Sequence, residues 1–379
     1  MAWSSYQKLL ALVMLVTGSF NTLSVKYADM QEVVGQDGSI RKFNHPFMQS
    51  AFMFIGEMLC LLIFKIAFIY FNRLGDGTVD SHPLTKGSRN FNPLVLLIPA
   101  CCDLISTSTM YVGLSLTQAS SFQMLRGSVI VFTGILSVGF LERKLGGREW
   151  TGIILVIVGL LFVGVSDLTT TNKDSPGLNS VVTGDLLIIC AQVITAVQMV
   201  VEEKFVSGLE IPPLQAVGWE GVFGFIGIIL LMIPLNYIHA GPPFGDNSQG
   251  TIEASLDALV QIENSGRLFM AVIGITVSIA FFNYAGLSVT QQMSSTTRMV
   301  LDSLRTIVIW AFSLTFQWQE FHFLQLVGFT VLLVGMSCYN NVIIPQLIRK
   351  IIVLIGRHRP PPSDEVRVIN AAGDPEQGI

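Results

Sequence analysis

Tyr111-Val-Gly-Leu-Ser-Leu-Thr-Gln118 and Tyr284-Ala-Gly-Leu-Ser-Val-Thr-Gln291 share six residues of eight. Each joins the end of one apolar run to the start of the next, where a Ser-Ser pair follows (Ser120-Ser121 and Ser294-Ser295). Further on, Gly152 and Gly159 match Gly328 and Gly335 at the same seven-residue spacing. Chance likeness between apolar helices would account for the glycines alone. The long match at corresponding places instead marks an internal repeat.

Outward from these motifs, stretches of about 20 apolar residues lie near 9–28, 47–71, 94–113, 117–141, 149–166, 183–206, 214–236, 268–290, 294–316 and 322–344. Composition agrees: 51% of the residues are hydrophobic and only 13% charged, against roughly 25% charged in soluble domains. Mean hydropathy is +0.60. Spans three to five thus resemble spans eight to ten. A repeat of five spans is odd-numbered, so its second copy enters the bilayer upside down, as in secondary transporters with a site between the halves. The expected fold is an all-α integral membrane protein of ten transmembrane helices in two inverted five-helix repeats. The first repeat covers 1–170 and the second 171–345. Residues 346–379 form an interfacial helix (Leu347 to Ile355, bracketed by Arg349, Lys350 and Arg357) and a Pro-rich, disordered tail.

Loop charge orients the chain. With the N-terminus inside, the inner loops and tail carry Lys8, Arg73, Lys86, Arg89, Arg143, Lys144, Arg148, Lys204, Arg349, Lys350, Arg357, Arg359 and Arg367. The outer loops hold Arg41, Lys42, Lys173 and Arg267. That positive-inside bias requires an even number of spans and puts both termini in the cytosol. The first span follows Lys8, but Asn21, Ser24 and Lys26 give no small-x-small cleavage site, so it is expected to be retained.

The five cysteines (Cys60, Cys101, Cys102, Cys190, Cys338) fall in apolar segments without a CxxC, and are expected to be buried free thiols. The histidines (His45, His82, His239, His322, His358) lie at span ends, in loops or in the tail. There is no HExxH, GxSxG or Walker A motif. Enzyme chemistry, a cofactor and a metal site are not expected, and nothing in the charge pattern calls for nucleic acid.

Ionisable residues at helix centres cost roughly 2.5–3.5 kcal/mol each on insertion scales and are functional candidates by default. Glu57, Asp103, Arg126, Glu220, Asp302 and Arg305 lie near mid-span, with Arg298 nearer the inner face. Left unpaired in lipid, this set would cost on the order of 20 kcal/mol. Arg298, Asp302 and Arg305 are spaced i, i+4, i+7 and share one helix face. Span four offers Gln123, Arg126, Thr133 and Ser137 on a comparable stripe. A gap-free repeat alignment sets Arg126 near Arg298, whereas the downstream glycines favour Arg305. Either way both halves present an arginine to mid-bilayer, where its fork suits phosphate or carboxylate oxygens. Asp302 is expected to orient the arginines. The competing reading has Asp302 merely neutralising its neighbours and Arg126 pairing with Asp103 or Glu57 to lock the bundle.

Glu57 and Glu220 occupy counterpart spans two and seven. They read either as protonatable coupling groups or as arginine counter-ions. Glu202 and Glu203 end span six and read as interfacial, although Asp185, Gln192, Thr195 and Glu202 share one face. Asn283 and Tyr284, after Phe281 and Phe282, are candidates to bind a base or sugar, or else to pack. Gly218, Gly221, Gly224 and Gly227 let another helix approach closely.

Ala119-Ser-Ser-Phe-Gln-Met-Leu-Arg-Gly127 and Ser295-Thr-Thr-Arg-Met-Val-Leu-Asp-Ser-Leu-Arg-Thr306 resemble the F subfamily of solute carrier family 35, in the EamA-like drug/metabolite transporter superfamily. So do Leu15-Val-Thr-Gly-Ser-Phe-Asn-Thr-Leu-Ser24, Gly184-Asp-Leu-Leu-Ile-Ile189 and Val201-Glu-Glu-Lys-Phe205. The resemblance implies two inverted five-helix halves working by alternating access in an intracellular membrane, the lysosome first, then mitochondrion or Golgi. Family relatives carry nucleotide sugars against nucleotide monophosphates. The Gly-Ala-Leu-Asn-Lys motif of recognised nucleotide-sugar carriers is absent, and Phe281-Phe-Asn-Tyr284 is a loose echo of their Phe-Tyr-Asn-Asn. The expected function is therefore transport of an organic, anionic or phosphate-bearing metabolite. Arg126, Arg305, Arg298, Gln123, Asn283 and Tyr284 would bind it, with Asp302, Glu57, Glu220 and Asp103 handling charge. The expected partners are that substrate and the lipid bilayer, with a homodimer or another membrane protein beside them. The alternative is a non-transporting scaffold of the same fold.

Overall fold

A computed structural model describes residues 4–74, 82–89, 91–117, 119–140, 144–170, 178–241, 247, 249–293, 295–316 and 323–340. The helix expected at 347–355, the tail and Gln118 of the first motif lie outside the described residues. Helix α1 (Ser5–Asp29) starts on a capping box: the Ser4 side chain accepts from the Gln7 amide and the Gln7 side chain accepts from the Ser4 amide, satisfying donors that the first turn leaves free. A two-stranded antiparallel hairpin, β1 (Glu32–Val34) and β2 (Ile40–Lys42), leads to α2 (Pro46–Leu74). A single 3-10 turn, Pro93–Leu96, feeds α3 (Leu97–Leu116).

Then come α4 (Ala119–Arg126), α5 (Val129–Phe140), α6 (Gly147–Thr170) and α7 (Leu178–Glu202), the last continuing through a π-helical turn at Glu203–Ser207. The remaining helices are α8 (Pro213–Leu235), α9 (Ser255–Asn264), α10 (Gly266–Gln292), α11 (Ser295–Thr315) and α12 (Phe323–Asn340). Among the described residues eight helical segments are long and apolar enough to cross a bilayer: α1, α2, α3 with its 3-10 turn, α4–α5, α6, α7, α8 and α10. The α11 helix is as long but carries Arg298, Asp302 and Arg305, and α12 is a shorter apolar helix.

Large apolar side chains such as Leu12, Val16 and Phe20 on α1 and Ile154 and Leu161 on α6 face outward. In water this belt would aggregate; in a bilayer it meets acyl chains at no cost. The chain is a multi-pass membrane protein.

Three expectations are corrected. The span expected at 117–141 is broken at Gly127-Ser128, where the amides of Gly127 and Ser128 turn back tightly onto Met124 O and Leu125 O; a Cβ on Gly127 would lie 2.6 Å from Met336 Cε. The stretch left between the spans expected at 214–236 and 268–290 contains α9, which packs beside the hairpin. Among the cysteines, all free, Cys60 is buried but Cys101 and Cys190 are exposed on the apolar belt, because an apolar stretch in lipid has an outer face as well as an inner one.

The most extensive helix pairings are α6 with α12, α2 with α8, α1 with α10, and α3 with α7. Glycine sets the first. A Cβ on Gly152 would lie 2.8 Å from Gly335 O, and one on Gly159 2.8 Å from Gly328 O. The glycines matched by repeat spacing therefore touch each other. On α8, Gly218 meets Leu61, Gly221 meets Glu57 and Met58, and Gly224 meets Phe54, so α2 lies directly on a glycine-lined groove.

Candidate functional site

Where α1, α2, α3, α4, α7, α8, α10 and α11 converge they enclose a cavity of about 80 Å³, room for a handful of waters at about 10–15 Å³ each. The broken helix matters here, since it ends α4 at Arg126 and turns that guanidinium into the cavity. From α11, Arg298, Asp302 and Arg305 face inward along one stripe, as their spacing requires.

The arginines are held by carboxylates from other helices and from their own. Arg305 Nη2 lies 2.8 Å from Asp302 Oδ1, and Arg126 Nη2 donates to Asp302 Oδ2 at 3.4 Å. Arg298 Nη1 donates to Glu202 Oε2 at 2.7 Å, while Gln198 Nε2 donates to Glu202 Oε1 at 2.7 Å. Arg305 is 2% exposed, and its guanidinium stacks 4.6 Å over the Phe282 ring; Arg126 lies 5.6 Å over Phe122. Such stacking favours a cation at the ring face. The Arg305–Asp302 contact is close but out of hydrogen-bond line. Among the described residues Arg305 Nε and Nη2, and Arg126 Nε, are buried donors without an acceptor. A buried donor left unpaired costs about 1–3 kcal/mol or more.

The opposite wall is acidic. Glu57 Oε1 accepts from Asn283 Nδ2 at 2.5 Å, whereas Glu57 Oε2 and Glu220 Oε1 meet no donor. Asp103 accepts the Thr107 hydroxyl at 2.8 Å.

Of the residues singled out by sequence, the cavity gathers Arg126, Arg298, Arg305, Asn283, Asp302, Glu57, Glu220 and Asp103. It does not take in Gln123, which donates to the Thr22 hydroxyl at 2.9 Å behind the wall, nor Tyr284, whose hydroxyl meets that of Tyr6 at 3.0 Å. Arg126 pairs with Asp302 and not with Asp103 or Glu57. Glu202 is not interfacial: it is 1% exposed and holds Arg298, because α7 runs on past it through the π turn. Asn21, Thr22 and Gln198 also line the cavity. They are polar residues inside apolar spans, a signal the sequence carried.

The family model of nucleotide-sugar transporters matches residues 4–211. Solute carrier family 35 member F6 of Pongo abelii is 48% identical over 378 residues, 99% of each chain. The Homo sapiens protein of the same description is 48% identical over 348 residues, 92% of each. The chain belongs to solute carrier family 35. By family it is a solute transporter and not an enzyme. A solved crystal structure superposes with a TM-score of 0.52 over 89% of this chain and 96% of its own, at 12% identity, a likeness of fold alone.

Proposed function

We propose that the chain carries an organic anion, of a phosphate- or carboxylate-bearing class such as a nucleotide sugar, by alternating access around the central cavity. One observation carries this function: Arg305 Nε and Nη2 and Arg126 Nε are buried in or beside the cavity with no acceptor. An anion there supplies what the protein does not. Arg126 and Arg305 grip it, Arg298 assists, Asn283 lies within reach of its neutral part, and Asp302 fixes the two guanidiniums. The halves are 1–170 and 171–345.

The helix pairings support an inverted repeat. Exchanging α1 with α7, α2 with α8, α3 with α10, α4–α5 with α11 and α6 with α12 maps the four major pairings onto themselves. Two halves with one packing scheme have two equivalent ways to rock, which is the geometric need of alternating access. The positive-inside bias places both termini in the cytosol; the lysosomal membrane is the first compartment to examine, with tags on both ends.

The screen is thermal unfolding of purified protein with nucleotide mono- and diphosphates, nucleotide sugars and simple organic anions. A ligand at 100 times its Kd adds about 2.7 kcal/mol. Arg126→Ala and Arg305→Ala are expected to abolish that shift, and uptake into vesicles, while the chain still expresses and folds. A second reading, a non-transporting scaffold, is favoured by the small cavity and by the ion pair that each arginine already makes. Normal folding of both variants with no ligand found for the parent protein would select it.

A further inference from the structure

The charges around the cavity do not balance. Glu57, Asp103, Glu202, Glu220 and Asp302 line it against Arg126, Arg298 and Arg305, five carboxylates to three guanidiniums, a formal charge of −2 with all ionised. The excess is local. Glu202 is taken by Arg298, and Asp302 lies between Arg126 and Arg305, which leaves the arginine wall one positive charge. Among the described residues Glu57, Glu220 and Asp103 make no ion pair.

Glu57 on α2 and Glu220 on α8 both line the cavity, beside the close crossing of their helices. Gly221, next to Glu220, is so close to α2 that a Cβ on it would lie 2.6 Å from Glu57 Cβ. The two residues are 2% and 6% exposed, and each has a carboxylate oxygen that meets no donor. The charged groups that face them are Asp103 from α3, Glu202 from α7 and Arg298 from α11. The titratable Cys60 lies on α2, Tyr111 faces Glu57 from α3, and α10 contributes the neutral Asn283. Carboxylates sharing one buried site do not ionise together, because each disfavours the other's charge.

We propose that Glu57 and Glu220 form a proton-binding site, and that proton and anionic cargo occupy the cavity together. A metal ion does not fit: among the described residues no group of three or more His, Cys, Asp or Glu is arranged to hold one. A proton needs no space beside the close crossing of α2 and α8. The cotransport half rests on the anion-carrier function proposed above. An anion approaching Arg126 and Arg305 enters a cavity of net negative charge, and a proton on the pair lowers that repulsion. The anion then binds the protonated form better, and by linkage it raises proton occupancy in turn. The proton is taken from water on one side as the carboxyl O–H of Glu57 or Glu220 and returned to water on the other. Nothing is oxidised or reduced. Because α2 and α8 are counterparts in the repeat, the pair lies where the halves meet and can be offered to either side.

The test uses the full chain in phosphatidylcholine vesicles. Infrared difference spectra between acid and alkaline buffer read the C=O stretch of protonated carboxyls. A band that vanishes as pH rises, moves in Glu220→Asp and is missing from the Glu57→Gln, Glu220→Gln double variant is expected. No titrating band in the parent protein, or the same band in a folded double variant, overturns the site. In a second arm, uridine monophosphate is titrated by thermal shift at several pH values. Its Kd is expected to weaken about tenfold per pH unit above the pair's titration, and to lose that slope in Glu220→Gln. A Kd indifferent to pH overturns the cotransport. A titrating pair with no response to uridine monophosphate, inorganic phosphate or citrate at any pH leaves the proton site standing and overturns the anionic-cargo function and its cotransport.

Discussion

Asp302 stands between two arginines from different helices, Arg126 of α4 at 3.4 Å and Arg305 of α11 at 2.8 Å, and its side chain is 12% exposed. Removing one partner of a buried ion pair typically costs about 3–5 kcal/mol, because the other charge stays buried and uncompensated. Asp302→Asn is expected to destabilise the protein by that amount, read as a lowered unfolding temperature in detergent. An unchanged melting curve would mean that water, not Asp302, satisfies the guanidiniums. At this scale the sequence is generous with identities and silent on partners. Every charged letter in an apolar run announces itself through its insertion cost. Which carboxylate meets Arg126 depends on helices 176 positions apart in the chain, and local spacing has no access to that distance.

Helix contact is where the glycines act. Gly159 lies against α12 so closely that a Cβ would be 2.7 Å from Leu332 N and 2.8 Å from Gly328 O. These are backbone atoms that cannot turn aside. Gly159→Val is expected to force α6 and α12 apart at a cost of at least about 1–3 kcal/mol. Gly164→Ala, one and a half turns on with nothing within 4 Å, should be neutral or stabilising by up to about 1 kcal/mol from helix propensity. Parallel melting curves of the two variants check the contrast; equal effects would rule out close packing as the cause. The seven-residue spacing of the glycines was legible, but not that the two helices carrying them pack on each other. The break at Gly127-Ser128 was hidden as well, since an unbroken apolar run from Val129 onward reads as one continuous helix.

Across the whole molecule, one cluster outside the spans ties the hairpin loop to α9. His45 Nδ1 lies 2.6 Å from Glu253 Oε1 and His45 Nε2 3.5 Å from Asp257 Oδ2, while Arg41 Nη2 donates to Asp257 Oδ1 at 3.2 Å. Burial works against a charged His45, but the contacts with Asp257 and Glu253 prevail and push its pKa up to about 9. The contact with His45, helped by the Gln36 amide and Arg41 against burial, brings Asp257 down to about 2. The signs differ. The histidine's contribution is complete below its ordinary value of 6.5 and is lost as pH rises through about 9. The aspartate's is complete above 3.8 and is lost as pH falls through about 2. The cap is therefore firmest between those two ordinary values. Amide exchange over residues 32–45 and 253–264 is expected to quicken above that window and to be fast throughout in His45→Gln. Exchange in the parent protein that ignores pH up to about 10 would show that His45 does not hold the cap.

The apolar runs determined by themselves that this is a multi-pass helical membrane protein, and stretches such as Ala119–Gly127 and Ser295–Thr306 carried its likeness to a transporter family. Hydrophobic length and charge placement are local properties, and the bilayer reads them directly. The tertiary structure alone decided that Glu202 is an arginine partner, that Gln123 and Tyr284 stand outside the cavity, and that Glu57 and Glu220 line one cavity. Those outcomes follow from helix rotation and pairing, which are fixed by the sum of packing over the whole bundle and by no short stretch of it.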